Sequence, residues 1–250
     1  MNCLQEIVKY CDKRVNRAGV PDFPGSNNGL QFQNDGRVSK IGAAVDASAH
    51  VFAEAARRGI DLLIVHHGMF WKAQHPVTGT IYGKFKILFE KNIAVYSSHL
   101  PLDAHREIGN NALLAKELGA EILDWELEFE GNKFAAICAG MPRERLTNAL
   151  KKLFPATFKA IEFGNANPQK IALLCGSGNS AVHELERLGC DTLVTGELKQ
   201  EFFSVAQEKG YNLYPCGHYA TEKFGVCALA AEVSEKFEIP WEFIETNCPL

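Results

Sequence analysis

The stretch IGAAVDASAHVFAEAARRGIDLLIVHH, residues 41–67, decides how this chain is read. It opens on an apolar run (41–45), continues through a segment of helical periodicity (49–58) that Gly59 closes, and ends in a second apolar run (62–65). A continuous apolar run bounded by polar residues, here Asp61 and His66, is the pattern of a parallel strand buried on both faces. A glycine just after a helix supplies the left-handed residue that stops it. The unit therefore reads strand, helix, strand. Residues 171–197, IALLCGSGNSAVHELERLGCDTLVTGE, lie over it without a gap at an offset of 130, setting Gly59 against Gly189, Asp61 against Asp191 and Leu63 against Leu193.

Outward from this core the correspondence continues. VYSSHLPLD (95–103) lies over YPCGHYATE (214–222), which sets His99 against His218 and Asp103 against Glu222, so that each copy ends in His-x3-carboxylate. Residues 1–19 read as an amphipathic helix with Leu4, Ile7, Val8, Cys11 and Val15 at helical spacing, followed by the turn-rich PDFPGSNNGLQF. A helix over 82–91, a strand over 93–96 and a helix over 108–118 complete the first copy, and the second repeats the order at 171–175, 180–188, 192–195, 199–209, 212–214 and 219–237. The expected architecture is α/β: two related lobes from an internal duplication (unit 41–119), with mostly parallel sheets, flanking helices and a metal site between the lobes. The first lobe takes residues 1–123 and the second 169–250; 124–168, with the strand KFAAICAGMP and a helix from about Arg143, reads as connecting structure.

Bulk properties narrow the function. With 46% hydrophobic and 22% charged positions in 250 residues, the chain has the material for a large core. No run of about 18 apolar residues and no signal-peptide pattern occurs, which places the protein in the cytoplasm and off the membrane. Eight cysteines are scattered without a Cys-x2-Cys pair, against a zinc ribbon or a disulfide framework. The net charge of −4, with basic residues single or paired, gives nucleic acid little support as a partner.

The chemistry gathers at the predicted strand ends, where open parallel sheets bind ligands. His66 and His67 follow the strand LLIV and precede Gly68; adjacent strand residues point to opposite faces, so both serve one site only where the strand gives way to a turn. His218 and Glu222 are four apart, on one side of a helix start. Each of these alone is more often structural, and Asp103 alone reads as a helix N-cap. Together, nitrogen and oxygen donors at strand ends in both copies indicate a site for divalent ions such as zinc, iron, manganese or nickel.

Taken in order, GLQ (29–31), VHHGMFW (65–71), SSHLPLDAH (97–105), TGELKQ (195–200) and GHYATEKFG (217–225) resemble the Nif-three-like family, whose bacterial members are often labelled GTP cyclohydrolase 1 type 2 homologues. The resemblance covers nearly the whole chain. It implies a two-lobed α/β protomer with two divalent ions between the lobes, assembled into a toroidal homohexamer. It carries metal-ligand roles to His66, His67, Asp103, His218 and Glu222. Residues 124–168 are too short for the domain that many relatives insert, so this is the compact form. Where many members read His-Thr-Asn-Leu-Asp, this chain reads His99-Leu100-Pro101-Leu102-Asp103.

The repeat makes His99 the counterpart of His218, within or next to the metal shell, and Glu197, opposite His67, a residue that orients a ligand imidazole or a metal-bound water. Paired ions with open positions activate water for hydrolysis. The family label makes the small-molecule substrate a nucleotide, GTP, whose guanine imidazole ring opens under attack of activated water, with His99 and Glu222 as the groups handling protons. GSGN (176–179) lacks the lysine of a phosphate-binding loop; between a strand and a helix its backbone amides suit an anion, although such a stretch is more often merely a tight turn. The longer first copy carries Met69, Phe70, Trp71, His75 and Tyr82, an aromatic insertion suited to stack on a base or to form a subunit contact. A non-catalytic, metal-dependent assembly protein is the main alternative function, and a DNA-encircling ring ranks last.

Overall fold

The computed structural model describes residues 2–71 and 76–250. The chain forms two compact units, Met1–His105 with Gly225–Thr246, and Arg106–Phe224 with Asn247–Leu250. The first unit contains β1 (Asn2–Cys3), α1 (Leu4–Arg14), β2 (Gly29–Phe32), β3 (Arg37–Val38), β4 (Ile41–Asp46), α2 (Ala49–Arg57), β5 (Leu62–His67), α3 (Gly79–Lys91), β6 (Ala94–Ser97) and the single turn α4 (Leu100–Asp103). The second follows with α5 (Asn110–Leu118), β7 (Ile122–Phe129), β8 (Asn132–Ala139), α6 (Arg143–Leu153), β9 (Ile161–Glu162), β10 (Lys170–Ser177), α7 (Asn179–Leu188), β11 (Thr192–Glu197), α8 (Phe202–Lys209), β12 (Asn212–Pro215) and α9 (His218–Thr221). The chain then returns to the first unit through α10 (Lys223–Phe237) and β13 (Trp241–Phe243).

The first sheet runs β13-β4-β5-β6-β2, and only β2 is antiparallel. This matches a mostly parallel sheet, with a fourth parallel strand supplied by the far C-terminus. α1 ends at Arg14, shorter than the 1–19 periodicity, because Asn16 turns left-handed (φ 51). Arg14 of α1 binds both carboxylate oxygens of Glu232 on α10 (2.7 and 2.9 Å), anchoring the returning helix in this unit. Ser48 caps α2 by accepting from the Val51 amide, which satisfies one of the amides that a helix start leaves open. Val51, Phe52 and Ala55 of α2 then pack with Leu63 and Val65 of β5 and Leu88 of α3.

The second sheet corrects the expectation of a mostly parallel one. Its order is β7-β8-β10-β11-β12-β9, and only β10–β11 and β11–β12 are parallel. Residues 124–168 are part of this sheet and not a connector. Phe129 pairs with Asn132 across Glu130 (φ 50) and Gly131 (φ 77), a two-residue turn with both central residues left-handed, as tight hairpins require. β8 then lies antiparallel to β10. Leu114, Ala115 and Leu118 of α5 share a core with Ala136 and Cys138 of β8 and Leu173 of β10. That packing is why the second unit begins at Arg106, where the sequence reading put the boundary after residue 123.

Both units share the order β-α-β-α-β-α: β4 through α4, and β10 through α9. Ile41 pairs with Leu62 and Ile171 with Thr192, 21 residues apart in each case. The third strands differ in register from the ungapped overlay. Ser97 lies opposite Val65 and Pro215 opposite Thr195, and the N-caps of α4 and α9 are His99 and Gly217. His99 is therefore level with Gly217, one residue before His218. Among the described residues no helix is long and apolar enough to cross a membrane.

Candidate metal centre

In the first unit β5 runs two residues beyond its apolar core and includes both His66 and His67. The turn expected to bring them together is not needed. Their ring centroids lie 4.9 Å apart, because each ring is turned by a hydrogen bond to a neighbouring strand end. His66 Nδ1 donates to the Ser98 carbonyl (2.9 Å), which can only accept, so Nε2 is the nitrogen that carries the lone pair. His67 Nδ1 meets Asp46 Oδ1 at 2.9 Å, at the end of the adjacent β4.

His99 occupies the N-cap position of α4 and meets Asp22 through Nδ1 at 3.0 and 3.1 Å. Burial pushes the Asp22 carboxyl up, but hydrogen bonds and charge from His99, with further donors at Asn28 and Phe23, outweigh this and hold it at about 2. One ligand-type atom from each of His66, His67 and His99 falls within 4.8 Å of the others. Asp103, the last residue of α4, brings Oδ2 to 3.3 Å from His66 Nε2. It does not cap the next helix, whose N-cap is Gly109.

The second unit carries a parallel arrangement. His218 opens α9, and Glu222 stands at the break before α10, so the single helix expected over 219–237 is two. His218 Nδ1 lies 3.2 Å from Glu197 Oε1 and Nε2 lies 3.1 Å from Glu222 Oε1. Glu197 thus touches the ring of His218. Burial disfavours charge on His218, but Glu222 and then Glu197 outweigh it and raise the ring to about 9.

The donor chemistry fits a divalent cation. Ligand atoms about 2.0–2.2 Å from one ion sit roughly 3.0–3.5 Å from each other, which is the spacing of His66 Nε2 to Asp103 and of His218 Nε2 to Glu222. Every one of the four imidazoles directs Nδ1 to an oxygen acceptor, the arrangement that fixes the tautomer of metal-binding histidines. Gly176 (φ +69) provides a cradle: a Cβ there would stand 2.3 Å from Glu222 Oε1 and 3.3 Å from His218 Nε2. The fully buried Ser98 hydroxyl has no hydrogen-bond partner among the described residues, so the first unit holds a polar atom suited to a further polar occupant.

Of the aromatic insertion, Trp71 donates Nε1–H to the Gly68 carbonyl (2.8 Å) and sets its ring edgewise against His99 (centroids 5.0 Å) and His67 (6.0 Å). Phe70 and Tyr82 are exposed. His75 lies outside the described residues.

Sequence reasoning missed Asp22, Asp46 and Gly176. Asp46 carried a usable signal, as a carboxylate ending a predicted strand. Asp22 carried none, since 77 residues separate it from His99.

The sequence model of Duf34/NIF3 (NGG1p interacting factor 3) matches residues 3–249. A "GTP cyclohydrolase 1 type 2 homolog" of Deinococcus radiodurans is 36% identical over 243 residues, covering 96% of this chain and 91% of the relative. One of the same description from Pyrococcus horikoshii is 38% identical over 244 residues, covering 96% of each. The crystal structure of TTHA1606 from Thermus thermophilus superimposes with a TM-score of 0.88 at 36% identity, covering 99% of this chain and all of that one.

Proposed function

This chain belongs to the Duf34/NIF3 family, and from that premise we propose that it is a cytoplasmic, dinuclear metal-dependent hydrolase acting on a nucleotide or related heterocycle. The carrying observation is the trio His66, His67 and His99, whose ligand atoms converge within 4.8 Å while each Nδ1 is held by an oxygen acceptor. An imidazole bound to a metal brings a nitrogen donor without charge, and Asp103, Glu222 and Glu197 supply the negative charge that divalent ions need.

In this reading His66, His67, Asp103, His218 and Glu222 hold two ions, and His99 serves with them as a fourth imidazole. The matched element order and the shared 21-residue register of the first strand pair support descent of the two units from one duplicated half. Bound ions of this kind supply Lewis acidity and a water of lowered pKa. The chain's own residues do the rest. Asp22, Asp46 and Glu197 keep the rings in one tautomer, and Glu222 is the carboxylate placed to take up and return a proton at the oxygen it does not give to an ion. Trp71, edge-on to His67 and His99, is placed to flank a planar base. The names of the relatives point to GTP as the first substrate to try.

A second reading, a metal-dependent ring-forming assembly protein, is favoured by the exposed aromatics Phe89 (73% exposed) and Tyr82 (56%) on α3. One experiment separates the two. Metal is counted per protomer in protein purified without a chelating tag, and the same material is screened against GTP and other nucleotides. Two ions with turnover are expected; two ions without turnover transfer the reading to assembly, and no ions refute both.

A further inference from the structure

We propose that Asp22, in the turn between α1 and β2, is the positioning residue of the centre: its buried carboxylate holds His99 with the proton on Nδ1, leaving Nε2 as the coordinating nitrogen. This deepens the metal-dependent reading and rests on it. The Asp22 side chain is 4% exposed and both its oxygens are engaged. Oδ1 accepts from the Phe23 amide (2.7 Å) and His99 Nδ1 (3.0 Å). Oδ2 accepts from Asn28 Nδ2 (2.7 Å), the Leu100 amide (3.1 Å) and His99 Nδ1 (3.1 Å). Asn28 returns the grip, accepting from the His99 amide through Oδ1 at 2.7 Å. The same turn therefore holds His99 by its backbone and by its ring.

The turn also reaches the other histidines. Gln31 donates from Nε2 to the Asn27 carbonyl (2.6 Å) and accepts from the Met69 amide at Oε1 (2.6 Å), two residues past His67. The segment 22–31, which reads in sequence as turn and GLQ motif, thus spans the ends of β5 and β6, where the trio sits. Among the three imidazoles the Asp22 contact has a distinct character. His66 leans on a backbone carbonyl, and the Asp46 side chain beside His67 is 45% exposed and shares its charge with water. A buried carboxylate with five short contacts acts at low dielectric, where orientation and charge count for more.

Asparagine at position 22 cannot reproduce this arrangement. Whichever way its amide turns, the NH2 group faces donors, and relief comes by moving the His99 proton to Nε2, the same tautomer error that follows when a histidine-orienting aspartate becomes asparagine.

The test has two parts. First, imidazole nitrogen NMR of metal-free wild-type protein, with His99→Gln for assignment, is expected to show His99 protonated at Nδ1. A proton on Nε2 overturns the proposal without any variant at position 22. Second, zinc affinity is measured by chelator competition for wild type, Asp22→Asn and Asp46→Asn, counted per folded molecule. Asp22→Asn is expected to weaken zinc about 10–100-fold and to shift the His99 tautomer, with a smaller loss for Asp46→Asn. An Asp22→Asn protein that melts earlier but keeps wild-type zinc affinity overturns the positioning role. Wild-type protein that takes no zinc or other divalent ion refutes the metal reading itself, while the tautomer still judges Asp22.

Discussion

Gly176→Ala is the sharpest probe of the second-unit ligands, because Gly189→Ala provides a matched control. Both glycines are left-handed, φ +69 and φ +64, so alanine at either costs about 1–2 kcal/mol for a Cβ in that region. At Gly189 nothing lies within 4 Å of the new methyl, and the cost stops there. At Gly176 the methyl would stand 2.3 Å from Glu222 Oε1, well inside an ordinary carbon–oxygen contact of about 3.3 Å. Glu222 is only 4% exposed, so its carboxylate has to leave a preferred rotamer, at about 0.5–1.5 kcal/mol, and give up its 3.1 Å contact with His218. A lost hydrogen bond to a charged group adds about 1.5–3 kcal/mol.

Gly176→Ala should therefore be destabilised by about 2–4 kcal/mol more than Gly189→Ala. In a chain of this size that separates the melting temperatures by roughly 5–15 °C. Thermal unfolding of both variants in chelator reads this difference, and zinc titration should show weakened binding only for Gly176→Ala. Two variants that melt within about a degree of each other, with equal zinc affinity, would refute the crowding argument.

Three further outcomes are expected. Glu222→Gln should lose much of the bound metal, since an amide offers no charge and one good donor oxygen; retention of two ions per protomer would end the idea that Glu222 is a ligand. Trp71→Ala should weaken nucleotide binding about tenfold or more while metal content stays intact, and calorimetry showing unchanged affinity would remove the stacking role. Arg14→Ala should destabilise the first unit by about 1–3 kcal/mol at neutral pH, because α10 is held to α1 by the Arg14–Glu232 pair. The hydrogen bond to Arg14 outweighs partial burial and sets Glu232 below the usual glutamate range. That contribution is complete above the usual range and is lost as pH falls through the depressed value. Denaturation midpoints of wild type and variant should converge in acid, and a gap that persists there would refute it.

The strand-helix-strand of 41–67 was legible because every signal in it is local. β4, α2 and β5 appear where the apolar runs and Gly59 place them, with β5 extended through His67. The hairpin at Glu130–Gly131 was legible in principle, but FEGNKF lacks the usual Asn-Gly or Asp-Gly cue, and the connector reading hid it. The overlay of His99 on His218 failed by one residue because sequence similarity there is too weak to locate a one-residue shift. The strand pairings, Ser97 with Val65 and Pro215 with Thr195, locate it at once.

Sequence by itself determined the alternation of strands and helices, the kinds of donor at the strand ends, and the family. The first two follow from periodicity, capping and residue chemistry over a few neighbouring positions, and the family from the resemblance of motifs taken in order along the chain. Only the tertiary structure decided that β13 completes the first sheet, that β8 turns the second into a mixed one, and that Asp22 and Asp46 hold the rings of His99 and His67. These are contacts between residues far apart in the chain, chosen by which buried faces and hydrogen-bonding edges can be satisfied together, and no local pattern carries that information.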